Sequence, residues 1–230
     1  CAAQLGGGVY VASGCTFVMA TGSNIHNCIA NNDGGGVINH GTFQMRGGTI
    51  STCTTVAFGG GGVCNNGTFI MSDGMIKGCT SPDGQYASGG GVRNSNQFTM
   101  TGGMIGDPDN ENDASHVYNT SSQETTLTIS GNAKIYTDIT NVGILNADGG
   151  KMAGTVTNDT NRYGTGSEGA AGSTEFHGKV TNTGTIRKGT FKNEVINESS
   201  GTINGGTFTG AITNNNGTVL DGDFSSATLN

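Results

Sequence analysis

Apolar residues return along this chain at fixed intervals, and polar residues fill the spaces between them without disturbing the rhythm. Gly6-Gly7-Gly8-Val9 recurs as Gly34-Gly35-Gly36-Val37, Gly60-Gly61-Gly62-Val63 and Gly89-Gly90-Gly91-Val92. Downstream of each triplet stands an aromatic-x-Met pair: Phe17 with Met19, Phe43 with Met45, Phe69 with Met71, and Phe98 with Met100. Successive Phe residues are 26, 26 and 29 positions apart. An Ile follows at 25, 50, 76 and 105, and Cys28, Cys53 and Cys79 each come three residues after the first three of these. A fifth repeat fits Leu127, Ile129 and Ile135. Alternation with period two predicts a strand with Phe and Met on one face and Thr16, Val18, Thr42, Gln44, Thr68 and Ile70 on the other. Glycine-rich stretches predict the corners, where backbones approach closely. One repeat cannot bury its Phe and Met alone. Repeats stacked about 4.8 Å apart bury them in columns of like residues. The 3.6-residue period of an amphipathic helix does not occur.

The C-terminal part repeats more tightly. Gly184-Thr185-Ile186, Gly201-Thr202-Ile203 and Gly217-Thr218-Val219 are spaced by 17 and 16 residues, as are Phe191, Phe208 and Phe224. Val195 and Ile212 follow their Phe by four, and the pattern reaches back to Phe176 with Val180 and to Ile144, Met152 and Val156. The expected fold is therefore an all-β solenoid with wider N-terminal turns of 26–29 residues and narrower C-terminal turns of 16–17. About nine turns at the strand-stacking rise make a rod roughly 40 Å long. Residues 1–230 read as a single continuous unit, long-turned over 1–135 and short-turned over 136–230, with insertions at 106–126 and 157–173.

Composition narrows the function classes. The 43 Gly lack a three-residue period and come with only 2 Pro, which excludes collagen. A net charge of −7 is the wrong sign for a phosphate-binding face, so no nucleic-acid partner is expected. No run of about 18 apolar residues exists, so no membrane insertion through a helix is expected. The chain opens in mid-repeat without a basic-then-apolar leader, the arrangement expected of a segment cut from a longer secreted or surface-displayed protein.

Glycine triplets, Gly-Thr-Phe-x-Met and the stretch Leu127-Thr128-Ile129-Ser130-Gly131-Asn132-Ala133-Lys134-Ile135 resemble the repeats of adhesin-like surface proteins of anaerobic Gram-positive bacteria. Those proteins are similar in fold to pectate lyases and autotransporter passengers. The resemblance implies a right-handed parallel β-helix and an extracellular, cell-surface or secreted location, with the chain serving as a stalk.

The residues that could carry chemistry are few. Carbohydrate-active β-helices need clustered carboxylates and a base on one exposed face, and glycoside hydrolysis needs two carboxylates about 5–10 Å apart. No Asp-Asp or Asn-Thr-Asp occurs, and neither His40-Gly41 nor His177-Gly178 shows an acidic neighbour at a matching position. No catalytic residues are therefore assigned. Asp107, Asp109, Glu111 and Asp113 alternate along one short loop, as a hard oxygen-seeking cation requires, and form a candidate calcium site; a solvated acidic loop is the competing reading. An EF-hand is excluded, because Asn112 and Tyr118 stand where Gly and Glu are needed.

All six cysteines lie within the first 79 residues. Cys28, Cys53 and Cys79 share one column, with Cys1 fitting the preceding turn, and form either a ladder of buried thiols or disulfides between neighbours. Single Thr ranks such as Thr16, Thr42 and Thr68 follow β propensity, without the second rank an ice-binding face needs. Candidate ligand contacts fall in the second insertion, at Asn161, Arg162 and Tyr163. The expected function is a non-enzymatic adhesin or stalk segment with a carbohydrate or a host surface protein as partner. A polysaccharide lyase or hydrolase is the alternative, and a structural filament module with end-to-end self-association the third.

Overall fold

A computed structural model describes residues 1–57, 59–82, 89–110, 113–120, 125–158 and 174–229. Among them there is no helix, and the strands assemble into sheets of 3, 13 and 11 strands. Pairing is parallel throughout, consistent with a β-solenoid-like parallel β fold. The alternation read from sequence sets the register: Phe17, Phe43, Phe69 and Phe98 are consecutive Cα partners, followed by Leu127 and Leu145. Met19, Met45, Met71, Met100 and Ile129 run beside them. Both columns face inward, because period two sends their neighbours to the other face. One hydrophobic cluster extends from Val11 to Ile212.

The phenylalanines change column part-way. Phe176 follows Met152, which follows Ile135, so the second aromatic ladder continues the column of Ile25, Ile50, Ile76 and Ile105. Within each ladder the rings stack face to face, except that Phe17 is tilted by 32° against Phe43. Centroids are 4.9 and 4.4 Å apart along Phe43, Phe69 and Phe98, and 4.6, 4.8 and 5.0 Å along Phe176, Phe191, Phe208 and Phe224. The stacking distance of parallel strands sets this spacing. It falls in the favourable range for offset aromatic pairs.

A polar ladder opposite the aromatic one was not foreseen. Asn39, Asn65, Asn94, Asn119, Asn141, Asn158, Asn182, Asn197 and Asn214 are consecutive partners in the 11-stranded sheet. Each Nδ2 donates to the Oδ1 of the next, at 2.7 Å through Asn141 and 2.8–2.9 Å beyond it. The sequence separations are 26, 29, 25 and 22 residues, then 17, 24, 15 and 17, so the rows shorten as expected. The same amides close the corners: Asn65 Nδ2 also reaches the Gly67 and Gln97 carbonyls, at 3.1 and 2.9 Å. Burying a side-chain amide is costly unless its donors and acceptors are met, and the ladder meets them with copies of itself.

The other corner needs glycine for space. A Cβ on Gly35 would run into the Gly61 carbonyl oxygen and the Thr54 backbone; one on Gly61 would meet the Thr80 and Gly90 carbonyls. One expected loop boundary also moves. Residues 106–126 were expected to leave the stack, yet Val117–Asn119 is a regular row pairing with both neighbours. Its Val-x-Asn pattern supplies the same core and ladder residues as the other rows. Of the second expected insertion, 159–173 lie outside the described residues.

Candidate functional site

The 13-stranded sheet bends where its strands carry glycine between the Met and Ile columns. Register shifts fall on both sides of Asp73, and Gly48, Gly74 and Gly103 have φ of 83°, 102° and 79°. The bend opens a groove of about 440 Å³, within the usual size range of ligand sites. Its lining is Gly48, Gly74 and Gly103, the side chains of Met75 and Met104, and Asp73, Asn132 and Lys134. Met75 and Met104 are Cα partners in adjacent rows, and Met104 is in turn the partner of Lys134. Both methionines are half-buried, whereas Asp73, Asn132 and Lys134 are exposed. Asp73 Oδ1 accepts the Gly74 N–H at 2.7 Å, and Arg46 lies opposite Asp73 in the register. A thioether floor with a carboxylate, an amide and an amine at its rim can take a ligand that has an apolar face and polar edges.

A second polar cluster sits on the shorter rows. Glu175 bonds to Lys192 at 2.6 Å and to His177 at 2.8 Å, and Lys179 pairs with Glu194 at 2.9 Å. The Lys192 ammonium, and then the His177 ring, hold the Glu175 carboxyl down to about 2. The acidic neighbour of His177 is thus in its own row, not at the matching position of an adjoining one. Residues 175 and 177 lie two apart and so share a face.

The expected cation ligands are not gathered into one cluster among the described residues. Asp107 forms an ion pair with Lys77 at 2.9 Å, which lowers its carboxyl and raises the amine. Asp113 turns inward and is buried, accepting backbone N–H groups from Gly78, Asp107 and Ser115 at 2.8–3.1 Å. Asp109 is exposed. Glu111 lies outside the described residues, as do Asn161, Arg162 and Tyr163. No group of three or more His, Cys, Asp or Glu is placed to hold a metal ion among the described residues. Nor is any helix among them long and apolar enough to cross a membrane.

The groove residues escaped sequence reasoning, although a signal exists. Gly74-Met75-Ile76 and Gly103-Met104-Ile105 repeat a large apolar residue one position before the core Ile, on the outward face. Comparison with protein-family models, curated proteins and solved structures gives no match for this chain.

Proposed function

We propose that this chain is a non-enzymatic adhesin or stalk segment of a secreted or cell-surface protein, built as a right-handed parallel β-helix of about nine turns. Its ligand on this reading is a glycan. The observation that carries it is the groove over Met75 and Met104, where an apolar floor fits the C–H face of a sugar ring and Asp73, Asn132 and Lys134 reach its hydroxyls. The lining holds one carboxylate, Asp73, whereas glycoside hydrolysis uses a pair about 5–10 Å apart. The resemblance to adhesin-like repeats agrees with this reading.

The test is a panel of host and plant polysaccharides incubated with the protein, with and without calcium, and followed by size-exclusion chromatography with light scattering. Co-elution at unchanged polymer mass is expected, with about a five- to hundredfold loss of affinity in Asp73→Asn/Lys134→Ala, each rim hydrogen bond contributing about 0.5–1.5 kcal/mol. A fall in polymer mass would replace the adhesin reading with a polysaccharide-cleaving enzyme. Binding that survives the double substitution would move recognition away from the groove.

A further inference from the structure

The buried thiols form a column with a repeated geometry, independent of any glycan reading. Thr54 N donates to the Cys28 carbonyl and Thr80 N to the Cys53 carbonyl, both at 2.9 Å, so Cys28, Cys53 and Cys79 stand in successive rows. Each Sγ points to the carbonyl two residues before it: His26 at 3.4 Å, Ser51 at 3.3 Å and Lys77 at 3.4 Å. Each also lies against the last glycine of its triplet, 3.2–3.3 Å from where a Cβ on Gly8, Gly36 or Gly62 would be. The three side chains thus share one orientation and repeat along the stacking axis. Cys53 stands between Cys28 and Cys79 in the column, one row from each. The column begins at the exposed Cys1, whose carbonyl accepts the Ile29 N–H at 2.8 Å, and ends at Ser115, whose hydroxyl accepts the Cys79 N–H at 3.0 Å and cannot join an exchange of sulfurs.

Thiol–disulfide exchange runs by attack of a thiolate on a disulfide sulfur, in line with the bond that breaks. Rows about 4.8 Å apart fall within the Cα separation a disulfide spans, about 4.4–6.8 Å. A third sulfur one row further along the same column would approach that bond from its end, along the stacking axis. We propose that Cys28, Cys53 and Cys79 form a disulfide-exchange track, in which Cys53 is bonded to one neighbour at a time and the other neighbour's thiol displaces it.

The chemistry balances with a low-molecular-weight disulfide, RSSR, acting while the rows are still open during folding. Cys53 thiolate attacks RSSR, giving the mixed disulfide and one thiolate RS⁻. Cys79 thiolate then attacks the Cys53 sulfur and expels the second. Two protein thiols are oxidised, and one RSSR is reduced to two RSH. The later shift needs no oxidant: Cys28 thiolate attacks Cys53 sulfur, the Cys53–Cys79 bond breaks, and Cys79 leaves as thiolate and takes up the proton Cys28 gave.

The full chain is refolded in a reduced/oxidised glutathione buffer, and free thiols are blocked with alkylating agent after increasing times. Cleavage after Arg46, Lys77 and Arg93 then separates Cys28, Cys53 and Cys79 onto different peptides, and fragmentation in the mass spectrometer distinguishes Cys28 from Cys1 and Cys15, and Cys53 from Cys64. One cross-link among Cys28, Cys53 and Cys79 is expected, shared between Cys28–Cys53 and Cys53–Cys79, with the shares relaxing to the same ratio from either start. Cys79→Ser should place all of it in Cys28–Cys53, and Cys28→Ser all of it in Cys53–Cys79. Two results would overturn the proposal. One is three free thiols in oxidised, folded wild-type protein, with folding checked by circular dichroism. The other is a single fixed pair whose share does not relax.

Discussion

Asn94 sits at the interior of a chain of buried amides, and its removal reaches beyond its own contacts. It donates to Asn119 Oδ1 at 2.7 Å and to the Asn96 and Thr126 carbonyls at 3.0 Å, and accepts from Asn65 at 2.7 Å. Asn94→Ala leaves buried acceptors unmet and should cost about 1–3 kcal/mol in urea unfolding. Asn214→Ala, at the exposed end, should cost well under half as much. Glu175 gives a prediction of a different kind. Its carboxyl is held at about 2, against 4.5 for the free group, by Lys192 and then His177. A depressed folded-state value stabilises the ionised form. That contribution is present above pH 4.5 and is lost as pH falls towards 2. Urea midpoints of wild type and Glu175→Gln should differ at pH 5 and converge by pH 2. An equal gap at both ends would show that the ion pairs contribute nothing.

Single strands depend on features of opposite kinds, filled volume on one side and empty space on the other. Phe69→Ala removes a fully buried ring stacked at 4.9 and 4.4 Å between its neighbours and should cost about 3–5 kcal/mol in denaturant titration. Gly61→Ala adds one methyl group against two backbone carbonyls that cannot rotate away, and should cost about 1–3 kcal/mol. Ile70→Thr, on the outer face between Gln44 and Thr99, should stay within about 0.5 kcal/mol of wild type. The register of these strands was legible because Phe-x-Met and the spaced Cys stand out against a polar background. The asparagine ladder was equally regular, as Val-x-Asn or Ile-x-Asn, but asparagine is so common here that its period was hidden among turn residues. The groove was less legible still. It depends on where the sheet bends, and two register shifts around Asp73 decide that.

Among the described residues each row pairs only with the rows before and after it. Stability in such a stack is close to a sum of row and nearest-neighbour terms. Phe69→Ala and Phe208→Ala should therefore add to within about 0.5 kcal/mol, and hydrogen exchange in Phe208→Ala should quicken near residues 190–220 while rows around Phe69 keep their protection. Strong coupling between the two sites would refute that picture. The amides impose a rule of another sort. From Asn39 to Asn197 each Nδ2 hands its hydrogen to the row that follows, so these eight side-chain dipoles share one heading. Turning one amide over would set hydrogen against hydrogen on one side and oxygen against oxygen on the other, so any reversal has to sweep the whole file like falling dominoes. The stack has a built-in compass needle, with its positive pole towards the last row.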